Sequence, residues 1–421
     1  MRVLYDISTL GLGHLYSLSR GGSYRADRHL AEGLMASDGV ELLLCANHSS
    51  AAYLGCVEYL RTGPPLAACP LLGPAEAGTS SALRRGAAGA HRWARRILGT
   101  NVLPGLLRRG AHLVDRRIHP PVYDASPPVD VFHSPGVPLP PRRRGRSPRR
   151  FITLYDLAYV RFPEIYGAAY LRTTRAAMES LREGDSVLTC SESSRAELCE
   201  RGMAAPERVF VAPLGADPRT FHPCADPDRL QAVRERYGIP DRPYLLSVNT
   251  PDPRKNLRHA IYAFARLVRE EGVRDLTLVL AGHGGPGSQP DPVEEADGLR
   301  GRVVRTGYVD DEELAPLYSG ATAFVYPSLY EGFGLTPLEA MQCGAPVITS
   351  NTSSFPEVVG DAGILLDPAD GDGLCQAILD VHRDAALRAG MRERSLARAA
   401  RFSWERCTRA TLDAYRAALA S

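Results

Sequence analysis

From Tyr244 to Thr349, short apolar runs alternate with stretches of helical character, and this alternation restricts the fold more than any other feature of the chain. Strands are predicted at Tyr244–Val248, Leu276–Ala281, Val303–Thr306, Ala323–Tyr326 and Pro346–Thr349, with helices from Leu257, from Asp311 and after Gly334. Strands joined through helices run parallel, and the helices cover both faces of the sheet. In such sheets ligands sit beyond the carboxyl ends of the strands. Three loops follow strands in this way: Asn249–Lys255, Gly282-His-Gly-Gly285 and the turn at Gly332–Gly334.

The first half shows a weaker version of the same pattern. Val3–Asp6, Val40–Cys45, Val129–His133, Phe151–Leu154, Ser186–Cys190 and Val209–Val211 read as strands. A helix runs from about Tyr24 to Met35, and Ser191 or Ser193 caps another. Residues 61–128, rich in Pro, Gly, Ala and Arg, read as an irregular basic insertion. Residues 215–242, with several prolines, read as a linker. The division expected is therefore 1–214, a linker at 215–242, 243–400, and a final helix over 401–421 crossing back to the first domain. At 421 residues, with 44% apolar and 23% charged residues, the chain has material for two ordinary cores.

Charge is near balance at +2 but unevenly spread. Between Ala77 and Tyr123 there are nine arginines and one acid, Asp115, and Arg142–Arg150 forms a second cluster. The first stretch reads foremost as a solvated arginine-rich insertion; an anionic membrane surface or an anionic acceptor are the alternative partners. Nucleic acid is not expected, because no recognisable binding motif accompanies the charge. Nine scattered cysteines without Cys-x-x-Cys pairs indicate reduced thiols in a cytoplasm, with the inner membrane face as the place of any peripheral contact. No run of 18 apolar residues exists, so no spanning helix is predicted.

The chemistry concentrates in Glu331-Gly-Phe-Gly-Leu-Thr-Pro-Leu-Glu339, followed by Ala-Met-Gln-Cys-Gly-Ala-Pro-Val-Ile348. Gly332 and Gly334 let backbone approach a ligand closely, and a helix starting near Leu335 aims its free N–H groups over the turn. The amides of Phe333, Gly334 and Leu335, flanked by Gly332 and Thr336, form an anion cradle. A carboxylate stands at each end of it, an arrangement suited to a nucleotide sugar. Lys255 is the only lysine, although lysine and arginine together number 50. A chain that uses arginine nearly everywhere keeps a compact ammonium where a planar guanidinium does not serve, which suits a phosphate contact. Arg254 is either a second phosphate contact or a surface ion pair, and Glu339 either a ligand acceptor or a structural acid.

The Glu331–Glu339 block resembles the Glu-x7-Glu signature of family 4 glycosyltransferases, retaining enzymes of the GT-B fold, in which two Rossmann-like domains face each other across a cleft. Val325–Gly334, Ser350–Glu357 and Ser247–Asn256 resemble the segments that flank this signature and open the second domain in that family. The resemblance implies that Lys255 and Arg254 bind the donor diphosphate, that Glu339 accepts from the ribose and that Glu331 reaches the transferred sugar. It further implies donor contacts at Asn249, Thr250, Gly282, Tyr308 and Val309, and at the glycine pair Gly21-Gly22. No cofactor or metal is implied, since the departing phosphate itself takes the acceptor's proton. Asp226-Pro-Asp228 has the letters of a metal-binding pair but falls in the linker.

One segment departs from the family. Thr153-Leu-Tyr-Asp-Leu resembles a stretch that usually reads His-Asp-Leu, so Tyr155 stands beside Asp156 where an imidazole is usual. Tyrosine is not a cation at neutral pH. Either the acceptor side has been rebuilt, or activity is reduced or lost; His133 either supplies an imidazole nearby or is a partly buried strand-end histidine. The competing reading of the whole chain is thus a non-catalytic nucleotide-sugar-binding partner or regulator of the same fold. A pyridoxal-dependent phosphorylase is a poor fit, because the only lysine has a better use.

Overall fold

A computed structural model describes residues 1–15, 21–73, 128–140, 148–249, 252–282 and 299–421, apart from the side chains of Ser50, Ala51, Ala169 and Asn249. The basic stretch 77–123, residues 141–147, Thr250 and most of the Gly282–Gly285 loop lie outside the described residues.

Among the described residues, twelve strands form two six-stranded sheets. In the first lobe they are β1 (Arg2–Asp6), β2 (Glu41–Cys45), β3 (Val131–Pro135), β4 (Arg149–Thr153), β5 (Ser186–Thr189) and β6 (Val209–Val211). In the second they are β7 (Tyr244–Asn249), β8 (Thr277–Gly282), β9 (Val303–Gly307), β10 (Ala323–Tyr326), β11 (Val347–Ser350) and β12 (Ile364–Leu366). The orders are β2-β1-β3-β4-β5-β6 and β12-β11-β10-β7-β8-β9. Every pairing is parallel. The inner strands are buried on both sides because helices cover both faces, while the edge strands β6, β9 and β12 are partly exposed. One apolar cluster is continuous between the lobes, from Val3 and Leu30 to Leu338 and Phe355, while separate clusters fill the far faces of each sheet.

The Trp404–Ala420 helix packs on β4, β5, β6 and the Gly22–Met35 helix, and so returns to the first lobe. The approach is close: a Cβ on Gly33 would come within 2.1 Å of Thr408 Oγ1. Two expectations change. Residues 61–73 are not irregular; Pro65–Ala68 form a 3-10 turn and Leu71 bridges Leu44 in β2. The 215–242 linker contains the Pro227–Arg236 helix, and Asp226 is its N-cap, its carboxylate accepting from the Asp228 amide at 3.0 Å. The second basic cluster ends inside the first sheet, at β4. Arg150 is buried in β4, ion-paired with Asp185 and donating through Nε to its carboxylate at 2.9 Å. In addition, β12 and the helices Gly371–Arg383 and Ala385–Ala399 extend the second lobe beyond the strands expected from sequence. No described helix is long and apolar enough to cross a membrane.

Candidate active site between the lobes

The turn after β10 is built as its glycines require. Gly334 has φ 101° and caps the Leu335–Gln342 helix without any side-chain hydrogen bond, so the helix tip keeps its amide donors for another partner. Phe333 is buried edge-on against Phe402, so only its backbone faces the turn. Gly332 lies against the first lobe: an added Cβ would be 2.3 Å from the Tyr155 carbonyl oxygen and 2.8 Å from Asp156 Cβ. The Gly22 position is also tight, with Leu335 Cδ1 3.3 Å from where a Cβ would be, whereas Gly21 faces open space. The glycine pair, the turn and the Tyr155–Asp156 segment therefore converge at one point of the cleft.

Glu331 and Lys255 come from different loops and meet as an ion pair. The Glu331 carboxylate also accepts from Tyr326 Oη at 2.9 Å and Ser328 Oγ at 3.1 Å, while its amide donates to Ser353 Oγ at 3.0 Å. Both side chains are largely buried, at 14% and 13% exposure. Burial by itself lowers the Lys255 pKa, but the Glu331 charge outweighs it and the ammonium is held protonated. Lys255 closes the Pro253–Lys255 turn, which Asp252 opens by accepting from the Arg254 amide at 3.0 Å. Arg254 is buried, forks onto the Asp252 carboxylate (Nη2 to Oδ2, 2.6 Å) and lies 5.7 Å from the Tyr166 ring centroid. It is thus neither a surface ion pair nor a free phosphate clamp, but a cation already fixed by its own loop.

Glu339 is 3% exposed, and burial pushes its carboxyl up to about 7, against the opposing pull of Arg25. Arg25, from the Gly22–Met35 helix of the first lobe, approaches Glu339 Oε1 at 2.8 Å and Asp311 at 3.8 Å. Tyr308, directly after β9, is 67% exposed, and Val309 is buried. Asn249 and Gly282 end neighbouring strands and pair in register.

On the first-lobe side the candidates separate. Asp156 is at the cleft; burial raises its pKa, while the Ala158 amide at 2.9 Å and the Arg254 charge oppose the rise. The Tyr155 hydroxyl turns inward and donates to Asp27, which also accepts from Thr9 Oγ1 at 2.6 Å. Burial pushes Asp27 up to about 7 in spite of these two bonds. His133 does not serve the acceptor side. It is fully buried, with Nδ1 2.5 Å from Tyr415 Oη and Nε2 2.6 Å from Thr153 Oγ1, and burial pushes its pKa down to about 3. The returning helix covers the end of β3 and takes up the imidazole.

Several residues of the cleft were not anticipated. Ser194 Oγ sits 3.2 Å from the Tyr155 carbonyl and 3.3 Å from that of Gly332, and Cys190 Sγ 3.1 and 3.4 Å from the same two. The Glu357 carboxylate, from the second lobe, accepts from the Glu192 and Ser193 amides at 3.1 and 3.2 Å, capping a first-lobe helix from outside. Tyr330 Oη donates to Glu197 at 2.8 Å and accepts from the Leu157 amide at 3.0 Å. Two of them carried a sequence signal: Arg25 lies three residues after the glycine pair, and Glu357 ends the Ser350–Glu357 segment.

Two facing parallel α/β lobes, with an anion cradle and a buried cation at the strand ends of the second, define the GT-B architecture. Residues 242–384 match the profile described as "Glycosyl transferases group 1". The chain is 36% identical over 294 residues to the O-antigen chain mannosyltransferase B of Escherichia coli, covering 68% of this chain and 74% of that protein. It is 31% identical over 247 residues to the serotype-specific mannosyltransferase WbdA of the same organism, spanning 56% of this chain but only 29% of that longer one. Sucrose-phosphate synthase from Thermosynechococcus elongatus shares the fold, with a TM-score of 0.65 over 99% of this chain and 98% of that one at 20% identity. The chain belongs to the group 1 glycosyltransferases.

Proposed function

We propose that this protein is a retaining glycosyltransferase of family 4 that transfers mannose from a nucleoside-diphosphate donor to an acceptor hydroxyl by a front-face route. The observation that carries the reading is Lys255. The only lysine of the chain is buried, kept charged by Glu331, and set beside the uncapped tip of the Leu335–Gln342 helix. A diphosphate entering there meets an ammonium and backbone amides, which together disperse the charge that develops as the sugar leaves. Arg254, held by Asp252, adds fixed positive potential to the same place.

In the step itself, the bond from the sugar C1 to the diphosphate oxygen breaks and its electron pair stays on the phosphate. The acceptor oxygen bonds to C1 from the same face, and its proton passes to the departing phosphate oxygen. Glu331 stabilises positive charge near C1 and anchors sugar hydroxyls. Glu339, with Arg25 beside it, receives the ribose, and Tyr308 lies where the base would extend. We assign the developing charge to Lys255 and the helix-tip amides and no metal to the step. The mannosyl assignment draws on the two Escherichia coli mannosyltransferases.

The test is a panel of nucleoside-diphosphate sugars followed by NMR of the product. Transfer of mannose with the donor's anomeric configuration kept is expected. An inverted product would overturn the mechanism, and tight donor binding with neither transfer nor hydrolysis would overturn the activity.

A further inference from the structure

A pair of tyrosines at the mouth of the cleft has no role in the donor chemistry above. Tyr166 follows the Pro163–Ile165 turn and Tyr170 lies in the first turn of the Ala168–Glu179 helix. Their rings stack at 4.9 Å between centroids and 17° between planes. Tyr170 is 51% exposed, one of few large apolar side chains so open among the described residues. Solvating an aromatic face this large is unfavourable, and a stacked pair uses one face of each ring while leaving the other available.

The location gives the pair its meaning. Tyr166 comes from the first lobe, yet the Arg254 guanidinium of the second lobe lies over it, so the stack stands where the lobes meet. Asp156 and Arg254 are close enough to influence both phenols. The same Arg254 is hydrogen-bond neighbour to the Tyr330 carbonyl at 3.5 Å, one residue before Glu331. A ligand resting on Tyr170 is therefore on the first-lobe side of the reaction centre. A pyranose suits that surface: one of its faces presents C–H groups that pack on an aromatic ring, while its hydroxyls stay at the edge, within reach of carboxylates.

We propose that the exposed face of Tyr170, backed by Tyr166 and Arg254, is a stacking platform for the pyranose ring of the acceptor, making this enzyme selective for saccharide acceptors over open-chain ones. The inference rests on the transferase reading above, and its test separates the two. Nucleoside-diphosphate mannose is supplied with either methyl α-D-mannopyranoside, which has a ring face, or glycerol, which has hydroxyls and none. Wild type is expected to favour the mannoside in kcat/KM. Tyr170→Ala is expected to reduce the mannoside-to-glycerol ratio at least about tenfold, mainly through acceptor KM, and Tyr170→Phe to keep it. The platform is overturned by an unchanged ratio in Tyr170→Ala, by equal loss in Tyr170→Phe, or by a wild type that hydrolyses donor or uses glycerol while ignoring the mannoside. A wild type that neither transfers nor hydrolyses any donor sinks the transferase reading and the platform with it. Tyr170 is exposed, so thermal melting of the variants is expected to match wild type.

Discussion

Arg25 and Glu339 lie on opposite lobes and face each other at 2.8 Å across the floor of the cleft. The carboxylate is 4% exposed and the guanidinium 22%, so each charge relies on the other for what water no longer provides. Arg25→Ala leaves a buried carboxylate alone and is expected to cost about 2–3 kcal/mol of stability. In a Glu339→Gln background the same substitution should cost less than about 1 kcal/mol. Urea denaturation of the four proteins in this cycle checks the coupling.

The lysine pocket gives the sharpest functional contrast. Lys255→Ala and Glu331→Gln are each expected to lower kcat/KM about 100-fold or more, with folding retained. Lys255→Arg should not restore activity, because the Lys255 ammonium is buried between the Glu331 carboxylate and the Tyr326 ring, 5.6 Å from its centroid, a setting that suits a compact charge and not a planar guanidinium. Asp226→Asn should leave transfer intact, since asparagine caps the Pro227–Arg236 helix as well as aspartate does.

Much of this site was legible because it is local in sequence. The glycine turn, the helix behind it and the loop lysine each report on their own surroundings through spacing and composition. Tyr155, His133, Arg25 and Glu357 were harder, for a common reason: their partners are Asp27, Tyr415, Glu339 and the Glu192–Ser193 amides, more than a hundred residues away in each case. His133 shows the limit best. At a strand end it has the address of a site residue, and only the return of the last helix turns it into a core group. Most strands of both lobes, by contrast, were readable within a residue or two, because burial gives each a local apolar core. β12, a partly exposed edge strand, was missed.

Two glycines separate packing from binding. Gly332→Ala places a Cβ 2.3 Å from the Tyr155 carbonyl, so the lobes must shift, and both melting temperature and transfer should fall, the latter about 100-fold. Gly21→Ala meets nothing within 4 Å and its backbone, at φ −79°, accepts alanine. Stability should change by less than about 1 kcal/mol. A donor Kd raised about tenfold or more would reveal a diphosphate beside it; an unchanged Kd would remove Gly21 from the donor site.

Asp27 provides a pH signature. Its folded pKa of about 7 is above the ordinary 3.8, so the native state holds a proton that the unfolded state has lost. The stabilisation is complete below about 4, declines with a slope of at most ~1.4 kcal/mol per pH unit, and is gone above about 7. His29 and His133, pushed down by burial to about 4 and about 3, act in the opposite sense below pH 6.5. The comparison must therefore be with Asp27→Asn, not with wild type alone. The advantage of wild type over the variant should shrink between pH 5 and 7 and stay level above, as measured by thermal melting.

The returning helix has a consequence for how the protein is made. Tyr415 supplies a hydrogen-bond partner for His133 and Thr408 fills the notch at Gly33, so the amino-terminal sheet lacks one wall until the ribosome has passed residue 415. The second lobe, whose cluster from Leu245 to Met391 is finished earlier, is able to settle first. Translation order and folding order then run opposite to each other, and a chain truncated at residue 400 would carry a complete second-lobe cluster beside an open first lobe.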